Sequence, residues 1–191
     1  MKSFIFLIVL TLNLPIFAAC QQFMGIKVDS TLQYIKNEFK KTDFKLVEES
    51  GKGDIFFSGK IGYDEVLILV TETPKSKKVY QFFIIIEKKA NSWIEIESKF
   101  NTYYDILESK YGKPTIINRD FENPFEKGDG YEFTALKSGK LNYYDSWTDK
   151  SLNQRIMLSM EKNATITILY QNIYNNEINL KEQKEMNKKI F

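Results

Sequence analysis

The sequence predicts an α+β fold built from two consecutive helix-plus-three-strand units, with an antiparallel sheet and helices packed on one face. Two observations support this prediction. Apolar residues recur at helical spacing in two separate stretches, and each stretch is followed by three short runs of strand-forming residues. The predicted boundaries are 1–19 for a signal peptide, 20–90 and 91–175 for the two units, and 176–191 for a polar C-terminal tail.

The first unit begins with a helix and continues with three strands. Ser30 is a favourable N-cap with Gln33 three residues later, and Leu32, Ile35 and Phe39 follow at helical spacing. The predicted strands are 55–57, 66–70 and 79–86, separated by turns at 62–64 and 73–76. The last of these strands is apolar at nearly every position, which predicts a central strand that is covered on both faces.

The second unit repeats this order of elements. Ser92 and Glu95 form a capping box, and Gly112 and Pro114 end the helix that follows. The apolar stripe of this helix consists of Trp93, Ile96, Phe100, Tyr104, Leu107 and Tyr111. A short helix at 132–137 and three strands, at 141–147, 154–160 and 164–170, complete the unit. The tail is rich in Lys and Glu, which predicts a helix on the protein surface.

The N-terminal residues have the layout of a secretory signal. Lys2 precedes an apolar core at 4–12, and Ala18 and Ala19 lead into Cys20, the only cysteine in the chain. This layout predicts export to the periplasm or the outer membrane. Two interpretations of Cys20 remain open. Residues 17–20 are either a lipobox, in which the Cys20 thiol is acylated, or the end of an ordinary leader that leaves no lipid anchor.

Several short motifs resemble those of a family of uncharacterised secreted proteins from Bacteroidota-type bacteria. They are the segments 23–26 (FMGI), 73–76 (TPKS), 110–114 (KYGKP), 135–139 (ALKSG) and 142–144 (NYY). The resemblance implies export to the cell envelope and supplies no catalytic residues. The order of elements also loosely resembles the tandem helix-plus-sheet layout of β-lactamase-inhibitor-like proteins, which is a likeness of shape.

The composition excludes several kinds of chemistry. The chain has no His, so a Ser-His-Asp triad and any His-ligated metal site are ruled out. With a single Cys and neither GxGxxG nor GxxxxGK[ST], the sequence predicts no metal and no cofactor. Removal of residues 1–19 leaves 27 − 1 = 26 basic against 25 acidic residues. This balance, with the lysines scattered among acids, predicts that nucleic acid is not a partner.

Two function classes follow from the residues that remain. The first is a non-enzymatic binding or interaction module whose partner is an envelope protein or a glycan, and which contacts a membrane only through a lipid on Cys20. Strand alternation predicts an open sheet face formed by Asn142, Tyr144, Ser146, Arg155, Ser159, Thr165 and Thr167. The alternative is a hydrolase that acts on envelope or glycan substrates with two carboxylates, and Glu122, Glu126 and Asp129 are the densest acidic set near aromatic residues.

Overall fold

The computed structural model of the protein describes residues 22–51 and 53–188. Its helices are α1 (Leu32–Phe39), α2 (Trp93–Tyr111), α3 (Glu132–Lys137) and α4 (Ile173–Asn187). Its strands are β1 (Gln22–Phe23), β2 (Ile26–Lys27), β3 (Lys45–Ser50), β4 (Asp54–Ile61), β5 (Asp64–Glu72), β6 (Val79–Ile86), β7 (Ile116–Phe121), β8 (Leu141–Asp149), β9 (Gln154–Met160) and β10 (Ile166–Asn172). The predicted signal peptide, Cys20 and the last three residues of the predicted tail lie outside the described residues.

The main element among the described residues is an eight-stranded antiparallel sheet in the order β3-β4-β5-β6-β10-β9-β8-β7. Strands from the first half of the chain occupy one half of the sheet, and strands from the second half occupy the other. The two halves join at the centre, where β6 pairs with β10 and Ile84 lies opposite Ile168. The short strands β1 and β2 form a separate hairpin.

The predicted fold class is wrong, because the described part of the chain is mostly β, with 39% of its residues in strands and 29% in helices. Each half of the sheet contains four strands and not three, since β3 and β7 form the two edges. The helices also do not all pack on one face. Helices α1 and α2 pack on one face of the sheet, whereas α4 lies against the opposite face.

Helix α2 forms over the predicted residues because both of its ends carry local signals. The Ser92 hydroxyl accepts a hydrogen bond from the backbone N–H of Glu95 at 3.2 Å, and the Glu95 carboxylate accepts one from the N–H of Asn91 at 2.9 Å. Gly112 follows the last turn with a φ of 76°, a conformation that residues with a Cβ rarely adopt. The predicted short helix α3 and strand β9 also have the expected bounds.

Other predicted elements are shifted by a few residues. The N-cap of α1 is Thr31 and not Ser30, since the Thr31 hydroxyl accepts a hydrogen bond from the N–H of Tyr34. Strand β10 begins two residues later than predicted, because Ala164 has a φ of 62° in the preceding turn. Helix α4 begins three residues earlier than the predicted tail, at Ile173.

The apolar core lies between α1, α2 and the face of the sheet that carries Ile68, Ile84 and Ile168, which we call the inner face. The Phe39 ring of α1 stacks on Phe57 of β4, with 4.2 Å between the ring centroids. In α2, the stripe is buried at Ile96, Phe100 and Leu107 and half-buried at Trp93, Tyr104 and Tyr111. Burial of these side chains is the main favourable contribution to folding.

A charged pair is built into this core. Asp145 of β8 is fully buried on the inner face, and both of its carboxylate oxygens accept hydrogen bonds from the guanidinium of Arg119, at 2.8 and 2.9 Å. The guanidinium carbon also lies 3.7 Å from the centroid of the Tyr143 ring. This bidentate contact compensates the burial of the Asp145 charge, which would otherwise oppose folding.

Helix α2 is tied to the β4–β5 hairpin through Asp64. The Asp64 carboxylate accepts hydrogen bonds from Lys99 Nζ at 2.7 Å and from the Tyr103 hydroxyl at 2.8 Å. Burial raises the pKa of Asp64, but these two hydrogen bonds and the positive charges of Lys99 and Lys88 together outweigh burial, and the pKa lies below its ordinary value. Burial and the contact with Asp64 also raise the pKa of Tyr103.

The contact of Asp64 predicts a contribution to stability that depends on pH. The pKa of Asp64 is lower in the folded than in the unfolded state, so the contribution is complete above the unfolded value of about 3.9 and is lost as the pH falls through the folded value. We therefore expect Asp64→Asn to reduce the decline in unfolding free energy between about pH 5 and pH 2. Urea unfolding across this range measures the decline. Equal declines in wild type and variant would contradict the contact.

None of the helices in the described part of the chain combines the length and the apolar character that a membrane crossing requires.

Candidate functional site

The predicted binding residues lie on the half of the sheet formed by β8, β9 and β10. Register places six of the seven on the side opposite α1 and α2, which we call the outer face: Asn142, Tyr144, Ser146, Arg155, Ser159 and Thr167. The seventh, Thr165, lies one residue before β10, and its hydroxyl donates a hydrogen bond to the side chain of Asn163 at 2.7 Å. The structure therefore brings six of these side chains together on one surface.

The hydroxyl groups of Ser159 and Thr167 form hydrogen bonds within the protein. Ser159 and Thr167 lie opposite each other on β9 and β10, with 2.7 Å between their hydroxyl oxygens. The Thr167 hydroxyl also donates to the Glu161 carboxylate at 2.7 Å. Both residues are buried, as is Ser146, because small side chains lie between larger neighbours. The members of the set that reach solvent are Asn142, Arg155 and, in part, Tyr144.

A row of apolar side chains crosses the outer face beside this polar set. Starting next to Ser146, register places one apolar side chain on each of five successive strands: Met157, Leu169, Phe83, Leu69 and Phe56. All five are half-buried, whereas Ile68 and Ile84, which point to the inner face from the same strands, are fully buried. The outer face is therefore largely uncovered at its apolar centre.

Helix α4 covers one end of the outer face. Its residues Asn179, Gln183 and Met186 line a cavity together with Leu69 and Tyr80. Burial raises the pKa of Tyr80, whose hydroxyl lies within hydrogen-bonding reach of Asn179. The covered end lies next to the β5–β6 turn, and the rest of the apolar row remains accessible.

The position of α4 is fixed by hydrogen bonds to β6 and to the β5–β6 turn. The Asn175 side chain donates to the carbonyl of Val79 at 2.8 Å, and the Glu182 carboxylate accepts from the backbone N–H groups of Lys75 and Ser76. These contacts join the last helix to a turn about one hundred residues earlier in the chain. They define the limit of the open part of the outer face.

Charged side chains lie at the margins of the outer face. Lys60 and Glu65 pair at the far end of the β4–β5 hairpin, with 3.8 Å between their charged atoms. Arg155 lies in the row of side chains next to the apolar row, and its guanidinium contacts the side chain of Gln171 at 3.5 Å. An apolar centre with a polar margin is the usual arrangement of a surface that binds another protein.

The acidic loop proposed for hydrolysis has a different geometry. Glu122, Glu126 and Asp129 are all exposed. The Asp129 carboxylate accepts hydrogen bonds from the backbone N–H groups of Glu126, at 2.9 Å, and Tyr131, at 2.7 Å. Such bonds stabilise the turn in which the carboxylate lies. Within residues 22–51 and 53–188, no group of three or more Cys, Asp or Glu side chains is arranged to hold a metal ion.

Comparison with protein-family models, with curated proteins and with solved structures gives no match to this chain. The resemblance to a family of secreted bacterial proteins therefore stays a prediction.

The sequence reasoning missed the apolar row. The runs 66–70 and 79–86 are apolar on both faces, and such runs are usually covered on both sides of the sheet. Here the outer face of β5 and β6, which carries Leu69 and Phe83, is covered only at the end against which α4 lies. A useful signal in the sequence would have been the small number of amphipathic helices, which is insufficient to cover two faces of a wide sheet.

Proposed function

We propose that this chain is an exported, non-enzymatic envelope protein that binds another protein through the outer face of its sheet. Export follows from the predicted leader, and acylation of Cys20 would hold the protein at a membrane while the sheet remains free to bind. The carboxylate hydrolase has weaker support, because the three acidic side chains considered for it lie in an exposed loop and one of them caps its own turn.

The observation that favours a protein partner is the uncovered apolar row at Met157, Leu169 and Phe83, with Tyr144 and Arg155 beside it. Small ligands usually bind in concave sites, whereas flat apolar surfaces with polar margins bind proteins. With strands about 4.8 Å apart and about 3.3 Å per residue, about seven residues on each of the six strands from β4 to β8 span roughly 650 Å² of sheet, and α4 covers one end of this area. The area is of the same order as the roughly 800 Å² that each partner contributes to a stable interface.

Tyr144 is the predicted anchor of this surface, since it is the large amphipathic side chain next to the apolar row. We expect Tyr144→Ala to weaken partner binding by more than about tenfold, which corresponds to the loss of an anchor residue. A photo-crosslinking amino acid at Arg155, introduced in the native host, should give one discrete adduct. The same experiment on the Tyr144→Ala variant should give much less of it.

The control is Tyr63, a fully exposed aromatic residue in the β4–β5 turn, far from the apolar row. Tyr63→Ala should leave the adduct unchanged, and a crosslinker at position 63 should not give it. A thermal melt of each variant separates loss of binding from loss of folding. If Tyr144→Ala folds normally and forms the adduct as well as wild type does, the outer face is not the binding surface. An adduct of twice the chain mass would identify a second copy of the chain in place of another protein.

A further inference from the structure

A groove of about 900 Å³ lies away from the outer face, at the end of the molecule where three parts of the chain meet. Its walls come from the β1–β2 hairpin, from the C-terminal end of α2 and the residues after it, and from the β8–β9 turn. Its volume is within the range of sites that bind small molecules or short polymers, about 300–1,000 Å³.

The groove is strongly basic. Its lining includes Lys27, Lys110, Lys113 and Lys150, and the single acidic residue that lines it is Asp149, so the lining charge is 4 − 1 = +3. The whole chain has a net charge of only +2. Among the described residues, no carboxylate lies within 4.0 Å of the ammonium group of any of the four lysines. A concave site with charges of one sign attracts ligands of the opposite sign.

Asp149 neutralises this charge only in part, because its carboxylate is directed into its own turn. One carboxylate oxygen accepts hydrogen bonds from the backbone N–H groups of Ser151, at 2.9 Å, and Leu152, at 3.3 Å. The Ser151 hydroxyl donates to the same oxygen, and these bonds lower the pKa of Asp149. The four ammonium groups are therefore the charges that a ligand in the groove would meet.

One amide side chain in the groove has no hydrogen-bond partner among the described residues. Gln154 is only 7% exposed, and its side chain makes no hydrogen bond with any residue in the described part of the chain. A buried amide without a hydrogen-bond partner is uncommon in folded proteins, since its desolvation is not compensated. The amide carries two donors and an acceptor oxygen, a set that suits the hydroxyl groups of a ligand.

Aromatic side chains form the floor next to this amide. The Trp147 indole N–H donates to the carbonyl of Gly112 at 2.7 Å, which fixes the ring against the end of α2. Tyr111 is half-buried and also lines the groove. Trp147 is only 3% exposed and its N–H is already used, so the half-buried Tyr111 ring is the one whose apolar surface a ligand can contact directly.

We infer that the groove binds an acidic oligosaccharide, a sugar chain that carries several carboxylate or phosphate groups. The lysines lie on separate elements around a space too large for one inorganic anion, so the ligand needs several charges along its length. The Gln154 amide and the aromatic floor suit the hydroxyl groups and the apolar faces of sugar rings. A concave site also fits an extended chain better than it fits a flat bilayer surface.

The two tryptophans of the chain allow a direct measurement. Trp147 lines the groove and Trp93 does not, so a Trp93→Phe background leaves Trp147 as the reporter. Its fluorescence should change saturably on titration with oligogalacturonate or with a phosphorylated oligosaccharide. The tighter binder of the two identifies whether the site prefers carboxylate or phosphate groups. An uncharged malto-oligosaccharide of equal length should give no change.

Variants assign the binding to the lysines. Substitution of Lys113 by Gln, or of Lys150 by Gln, should weaken the affinity by about two- to fivefold at an ionic strength of about 0.1 M, as for an exposed ion pair. Substitution of all four groove lysines by Gln should weaken it more than tenfold. The matched control replaces four exposed lysines outside the groove, Lys40, Lys89, Lys127 and Lys162, by Gln. It removes the same charge and should keep the affinity within about twofold, because charges beyond a Debye length of about 10 Å are screened.

Gln154→Leu tests the amide without changing the charge, and it should weaken binding of the same oligosaccharide. A thermal melt of every variant confirms that the fold is intact. Absence of a saturable change with both acidic oligosaccharides would overturn the inference. Equal weakening by the groove and the control quadruple variants would also overturn it, as would tighter binding to poly-glutamate or to phosphatidylglycerol vesicles than to the sugars.

Discussion

Replacement of Arg119 by Ala should lower the free energy of unfolding by about 3–5 kcal/mol. The variant leaves Asp145 buried on the inner face, where its carboxylate has lost the two hydrogen bonds from the guanidinium. A buried charge without its partner is strongly destabilising, since the desolvation of the carboxylate is no longer compensated. Contacts of the guanidinium with the Tyr143 and Phe100 rings are lost as well. Urea unfolding at neutral pH measures the difference.

The double variant Arg119→Met, Asp145→Leu is the control for this experiment. It removes both charges and keeps apolar volume in the core, so it should recover most of the lost stability. Such recovery would show that the loss in Arg119→Ala comes from the unpaired carboxylate. A loss below about 1 kcal/mol in Arg119→Ala, the range of an exposed ion pair, would instead mean that Asp145 is accessible to water.

Phe39→Ala should destabilise the protein to a similar extent, by about 3–5 kcal/mol. The Phe39 ring is 1% exposed and packs against Phe57, Phe44 and Phe82, with centroid distances of 4.2, 5.3 and 6.3 Å. Truncation removes this buried area and leaves a cavity between α1 and the sheet. The cost includes both the transfer of the ring to water and the contacts that the cavity wall loses. The midpoint of urea unfolding should therefore shift to a much lower concentration.

Two further variants provide comparisons for the destabilisation by Phe39→Ala. Phe39→Leu keeps most of the apolar volume and should be markedly less destabilised than Phe39→Ala. Tyr63→Ala removes an aromatic ring that is fully exposed, so it should change the stability by no more than about 0.5 kcal/mol. If Phe39→Ala were as stable as Tyr63→Ala, α1 would not pack on the sheet in solution.

Elements whose signals are local could be predicted from the sequence. Helix α2 has its capping residues, Ser92 and Gly112, next to its ends, and its apolar stripe lies within the helix itself. Strand β9 has the same advantage, because polar turns flank it on both sides. In such segments a few neighbouring residues determine the local structure.

The edge strands could not be predicted in the same way. In β3, five of the six residues are exposed, and β7 carries Asn118, Arg119 and Asp120 at its centre. Each of these strands forms because one neighbouring strand supplies hydrogen bonds. The residues of the edge strand itself do not indicate which strand that neighbour is. The pairing of β6 with β10, which merges two units into one sheet, is non-local in the same sense.

The candidate sites differ in the same way, since local patterns predict one of them and only the fold reveals the other. Alternation along β8 and β9 was sufficient to place Asn142, Tyr144 and Arg155 on one face. The basic groove was not predictable, because Lys27 and Lys150 are more than one hundred residues apart in the chain. In the sequence these lysines are part of a scattered distribution of charge, and only the fold brings them together.

The central pairing of β6 with β10 determines when the sheet can finish folding. Residues 81–86 acquire their second neighbour only when residues 166–171 are available, near the end of the chain. Until then β6 is an edge, and its unpaired backbone groups and apolar residues such as Phe82 and Ile84 can bind other extended chains. A chain that is made from its N-terminus passes through this stage for as long as its last strand is delayed. A factor that shields this edge while the chain is incomplete should therefore raise the yield of the folded protein more than one that acts on the complete chain.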